Sequence, residues 1–202
     1  MTRPDSDAPQ FVSLDEAAAM TTGTRVTFIP GIPAMYSEAL KNICHVKGVP
    51  LIRALHPLMG VDEETGEDGL LWNMRILNDS PLARKYGYSE EASADAPAKV
   101  AEVIRLIDRR LEAQARRGSP YLVGDAITAI DVYRATLSMT VAPAPPEIMP
   151  ITKQNRRMLE FFAKNGEIPE IADTLSERIR EHQRSILTTW CETPAVLGGD
   201  PI

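Results

Sequence analysis

Thiols, imidazoles and the hydroxyls at one helix start are the side chains here with nucleophilic or metal-binding chemistry, and their spacing limits what they can do. Cys44 and Cys191 show no pairing pattern and no metal-ligand spacing. His45, His56 and His182 are scattered without zinc-ligand spacing, so no metal site is expected. Cys44 falls on the apolar stripe of a helix and reads as a buried, inert thiol. Cys191, close to the C-terminus, reads as a free surface thiol. Tyr36, Ser37 and Glu38 stand at the start of that same helix. Ser37 can cap the helix, Glu38 suits its positive end, and Tyr36 can pack as a core aromatic. Arg109-Arg110 and Arg116-Arg117 read as charge pairs on a solvated helix face, and Trp72, Tyr133 and Met139 as core residues.

These residues depend on the elements that carry them. Ser13 and Glu16 have capping-box spacing, which predicts a short helix over 13–20 ended by Thr22-Gly23. Arg25 to Ile29 is β-branched and aromatic and reads as a strand stopped by Pro30-Gly31. Met35 to Lys47 reads as a helix with Leu40, Ile43, Cys44 and Lys47 on one stripe, closed by Gly48 and Pro50. Val49 to Leu55 is a second strand. Strand, helix and strand with short joints form a βαβ unit with two parallel strands.

Beyond His56 the pattern changes. Residues 60–68 are acidic and Gly-containing, and everything after them is helical in pattern. Leu70 to Ile76 and Pro81 to Tyr86 read as helical, and Ala98 to Arg116 is the clearest helix. Val100, Val103, Ile104, Ile107, Leu111 and Ala115 share its apolar stripe, with Arg105, Asp108, Arg109 and Glu112 toward water. Further helices are expected at Ala129–Leu137, Lys153–Lys164 and Asp173–Leu187, with Pro143 to Pro146 as a stiff connector.

The most specific segment is Tyr121-Leu122-Val123-Gly124-Asp125 followed by Thr128-Ala129-Ile130-Asp131. Thr128 and Asp131 form an N-capping box, Ile127 and Val132 a hydrophobic staple, and Gly124 the tight turn before them. This phrase resembles the buried N-capping box of the glutathione S-transferase family, which opens the core helix of that family's all-helical C-terminal domain. The helix Ala98 to Arg116 stands where that domain has its preceding helix, and Gly69 through Ser89 is similar to its opening helix. The βαβ unit resembles the first half of the family's thioredoxin-like domain. Its Lys47-Gly48-Val49-Pro50 looks like the family's helix-to-strand joint.

The resemblance implies an α+β, mainly α chain: a partial thioredoxin-like βαβ unit followed by an all-helical domain. Residues 1–22 form an extension, 23–60 the partial thioredoxin-like domain, and 69–190 the helical domain. It also implies glutathione as co-substrate, a small hydrophobic electrophile, and no metal. A hydroxyl at the first helix's N-terminus would stabilise the thiolate; Ser37 and Tyr36 are the candidates, while Ala34 stands in the slot where many relatives place Ser or Cys.

One departure is clear. Only thirteen residues separate Leu55 from Gly69, whereas a further unit of two strands and a helix takes about 30. The second half of the thioredoxin-like domain does not fit there. Asn78-Asp79-Ser80 superficially resembles the family's acidic-Ser motif, but no Val-Pro precedes it. An unfinished sheet predicts an exposed edge and a homodimer, and keeps a second reading open: a non-catalytic helical scaffold.

Composition excludes other classes. The 22 basic against 28 acidic residues give a net charge of −6, which argues against nucleic acid. No stretch nears the ~18–20 apolar residues that span a bilayer, and MTRPDSDAPQ lacks an apolar signal core; a cytoplasmic protein is expected.

Overall fold

The computed structural model describes residues 11–28, 35–55, 87–152 and 156–195. The expected helix at Leu70–Ile76, the segment Pro81–Tyr86, Trp72, His56 and the loop before the Met35 helix lie outside those residues. The described chain is α+β and mainly helical. Strand β1 (Phe11–Ser13) runs into α1 (Leu14–Ala19), followed by β2 (Thr24–Phe28), α2 (Met35–Val46) and β3 (Leu51–Leu55). The helical part holds α3 (Glu90–Ala115), α4 (Ala129–Leu137) with a 3-10 turn at Ser138–Thr140, α5 (Arg156–Glu167), the short α6 (Pro169–Ala172) and α7 (Glu177–Thr189).

The βαβ reading holds: β2 pairs parallel with β3, Thr24 opposite Leu51 and Phe28 opposite Leu55. The Ser13–Glu16 box that starts α1 is also present, with Ser13 N donating to Glu16 Oε2 at 2.8 Å. The third strand is new. β1 pairs parallel with β3, Phe11 opposite Arg53, so the order is β1-β3-β2. The edge that a two-stranded unit would expose on β3 is therefore covered by residues 11–13. Phe11 and Phe28, on the two outer strands, meet edge-to-face at 5.7 Å. Among the described residues, β2 is left with one partner strand.

One helix turns a different face inward than expected, and a second keeps most of its expected stripe. In α2 the buried positions are Met35, Glu38, Ala39, Lys41, Asn42 and Cys44, while Leu40 and Lys47 are exposed. Met35, Glu38, Ala39 and Asn42 also satisfy helical spacing, and packing against α4 selects that stripe. In α3 the expected stripe holds at Val100, Ile104, Ile107 and Leu111, while Val103 and Ala115 are exposed and Ala101 and Gln114 are buried beside it. Asp108 is half-buried rather than turned to water, and α3 begins eight residues before Ala98. Ser89 Oγ accepts from Ala92 N at 3.0 Å, and Glu90 and Glu91 fill the first turn. Pro97 is tolerated because Ser93, whose carbonyl it leaves unbonded, faces water.

The core has two parts. One joins Met35 of α2 to Val132, Ala135 and Met139, to Leu159 and Phe162 of α5, and to Ile186 and Leu187 of α7. The other packs Ile104 and Leu111 of α3 against Leu122, Ile171, Leu175 and Ile179. A Cβ on Gly166 would come 2.1 Å from the Val141 carbonyl, so α5 reaches the chain after the 3-10 turn only with glycine there. The βαβ unit is thus held on the helical part through α2 against α4.

Candidate functional site

The start of α2 carries the two expected hydroxyls, and the structure separates them. Ser37 Oγ donates to the Thr27 carbonyl of β2 at 3.2 Å, which ties the helix to the strand and engages the hydroxyl. Tyr36 is 74% exposed, which overturns its expected packing as a core aromatic. Its phenol is the hydroxyl at this helix start without a protein partner among the described residues. Glu38 stands in the first turn of α2, as expected, and is fully buried.

Glu38 belongs to a buried charged cluster that the sequence did not announce. Lys41 Nζ lies 2.7 Å from Glu38 Oε1, and both side chains are inaccessible. Lys41 also faces Glu192 Oε2 at 3.5 Å, and Arg53 Nη2 of β3 reaches Glu192 Oε1 at 2.6 Å. Asn42 completes the link, donating to Glu38 Oε1 at 3.4 Å and accepting from Glu192 N at 3.0 Å. The segment after α7 is therefore clamped onto α2 and β3 by alternating charges. Glu38 Oε2 and Glu192 Oε2 are buried without a hydrogen bond, which makes the cluster sensitive to losing either cation.

Cys191, next to this clamp, is not a surface thiol: it is 2% exposed in the main core. Burial pushes its pKa up to about 12, with the Glu38 carboxylate adding to the rise and Lys41 opposing it. It stays a protonated, inert thiol at neutral pH. Cys44 is buried as expected.

The capping box at Thr128 and Asp131 is present and larger than a box. Asp131 Oδ2 accepts from Thr128 N at 3.0 Å and from the Thr128 hydroxyl at 2.6 Å. Its Oδ1 accepts from Leu122 N at 2.7 Å and lies 3.1 Å from His182 Nε2. On the far side of the imidazole, Arg134 Nη1 stands 3.2 Å from Nδ1, and Arg134 Nη2 donates to the Ile179 carbonyl at 2.7 Å. A guanidinium only donates, so Nδ1 accepts and Nε2 carries the proton toward Asp131. Burial alone would raise the Asp131 carboxyl, but the hydrogen bonds from His182, Leu122 and Thr128 outweigh it and hold it below the ordinary value. Burial lowers Arg134 to about 10, with Asp108 and Asp131 opposing, so it remains charged at neutral pH.

The turn ahead of the box is fixed by the same economy. Gly124 has φ +67°, and its carbonyl accepts from Ser119 Oγ at 2.6 Å and Gln114 Nε2 at 2.7 Å. Arg110 Nε donates to the Leu122 carbonyl at 2.8 Å, so Arg110 is a positioning group and not merely a solvated charge. Met139 is core as expected, whereas Tyr133 is 37% exposed. The Asp131–His182–Arg134 chain ties the start of α4 to the turn at Leu122 and to α7. Among the described residues no group of three or more His, Cys, Asp or Glu is placed to hold a metal. No described helix is long and apolar enough to cross a membrane.

No protein-family model, curated protein or solved structure matches this chain.

Proposed function

We propose that this chain is a glutathione transferase-like protein, cytoplasmic and homodimeric, that binds glutathione at the start of α2 and conjugates it to a small hydrophobic electrophile. The observation that carries this reading is the seating of α2, the helix of the parallel βαβ unit, against α4, the helix opened by the buried Thr128–Asp131 box. Both halves of the resemblance meet at that contact. The reaction is attack by the glutathione thiolate on an electrophilic carbon, forming a C–S bond as the leaving group departs with its electron pair; the thiol proton goes to solvent. The positive end of α2 favours the thiolate. Of the two hydroxyls, Tyr36 is the one able to turn to a bound sulfur, because Ser37 is engaged by Thr27.

That engagement also favours a second reading, a non-catalytic family member acting as a helical dimerisation or ligand-binding scaffold. The two readings differ in the conjugation of glutathione to 1-chloro-2,4-dinitrobenzene, followed by absorbance. The transferase reading expects Tyr36→Phe to lower kcat/KM by about 10²-fold, with Ser37→Ala changing it only about threefold through loosened positioning. Turnover no faster than the buffer reaction, from folded protein, supports the scaffold.

A further inference from the structure

We propose that residues 191–195 form a releasable strap across α2 and β3, pinned by Glu192, whose opening brings the buried Cys191 thiol to solvent while the rest of the fold stays intact. The strap leaves α7 at Trp190. Glu192 takes Arg53 of β3 at 2.6 Å and Lys41 of α2 at 3.5 Å, and its backbone N donates to Asn42 Oδ1 at 3.0 Å. Ala195 N donates to the Ile148 carbonyl, just past the proline-rich connector, at 2.7 Å.

The charges show why this segment can lift as a unit. Closed, the cluster sets two cations, Lys41 and Arg53, against two carboxylates, Glu38 and Glu192. Removing Glu192 leaves Lys41 with Glu38 at 2.7 Å, a buried pair that is still neutral. Arg53, whose side chain is 18% accessible, keeps its contact with water. Among the described residues, then, opening orphans no fully buried charge, and it escapes the penalty that breaking a buried pair normally carries. The closed state is also incompletely bonded: Glu192 Oε2 and Arg53 Nε are buried without a hydrogen bond.

The apolar hold is small. Of the five residues only Cys191 and Ala195 are fully buried, and neither has a large side chain. The strap lies beyond α7, so its release breaks no described strand or helix. The device does not depend on what binds at the start of α2.

Cys191 distinguishes the two states. In the closed strap burial pushes its pKa up to about 12, so almost none of it is thiolate near pH 8. Released, it returns to the ordinary thiol range of about 8.5 and reacts.

Labelling of the full-length protein with N-ethylmaleimide at pH 8, read by mass spectrometry of the C-terminal peptide, measures strap opening. Hydrogen exchange of the α4 amides measures opening of the whole fold. In the parent, strap opening is expected to be at least about tenfold more frequent than α4 opening. Glu192→Gln keeps the shape of the side chain and removes its charge from both cations. It is expected to raise Cys191 labelling at least about tenfold, with α4 exchange unchanged. Arg53→Gln is expected to raise labelling by a smaller factor, because Lys41 still faces Glu192. Labelling that never outruns α4 exchange overturns the proposal. So does labelling that Glu192→Gln leaves unchanged, or raises only together with α4 exchange.

Discussion

Asp131→Ala is expected to cost about 3–5 kcal/mol of folding stability, the largest effect of any single substitution in the helical part. The carboxylate is fully buried and meets four donors: two backbone amides, one hydroxyl and one imidazole N–H. Alanine removes every acceptor at once, and each buried donor left unbonded costs about 1–3 kcal/mol before relaxation. For a chain of this size the loss appears as a fall in Tm of roughly 10 °C or more. Asp131→Asn keeps one acceptor but turns an amide toward donors, so it falls between alanine and the parent.

The sign of the pH dependence follows from the lowered carboxyl. Its contribution is fully present above the unfolded aspartate value of about 4 and is lost as pH falls through the folded one. Urea unfolding between pH 6 and pH 3 is expected to show the parent losing stability at the acid end. The asparagine variant lacks that part of the slope. Equal acid slopes in the two proteins would show that Asp131 is not the group responsible.

Lys41→Met is the second large effect, also expected at about 3–5 kcal/mol. It leaves the Glu38 carboxylate buried without a cation, while Glu192 keeps Arg53. The double variant Glu38→Leu/Lys41→Met is expected to return to within about 1 kcal/mol of the parent, because a buried pair replaced by apolar groups of similar size is often neutral or stabilising. A double-mutant cycle by denaturant unfolding measures the coupling. Additive losses would mean that the two side chains act independently, contrary to their 2.7 Å contact.

What sequence could reveal follows from how local each interaction is. The Ser13–Glu16 and Thr128–Asp131 boxes each join residues three positions apart and are legible, as are β2, β3 and their parallel pairing. Strand β1 is three residues long and exists by pairing with a strand 42 positions away, so no local pattern marks it. In α2, two stripes satisfy the helical period. The more apolar one runs through Leu40 and Cys44, yet tertiary packing buries the one with Glu38 and Asn42, leaves Leu40 exposed and keeps Cys44 inside. The available signal was the opposite-charge spacing of Glu38 and Lys41.

Each buried network takes one partner from far along the chain. His182 lies 51 positions from Asp131, and Glu192 lies 150 from Asn42. Cys191 was misread for the same reason: nearness to the C-terminus suggested exposure, but the segment after α7 is clamped to α2 and β3. At the α2 start, the candidate residues were legible as types. Their inequality was not, since it depends on Ser37 meeting the Thr27 carbonyl of a neighbouring strand.

Calorimetric titration of reduced glutathione into the purified, folded chain, with its oligomeric state fixed by light scattering, tests the central claim most directly. The transferase reading predicts saturable heat with a Kd of about a millimolar or tighter, competed by S-hexylglutathione, from a homodimer. A folded sample that gives no heat on titration contradicts it.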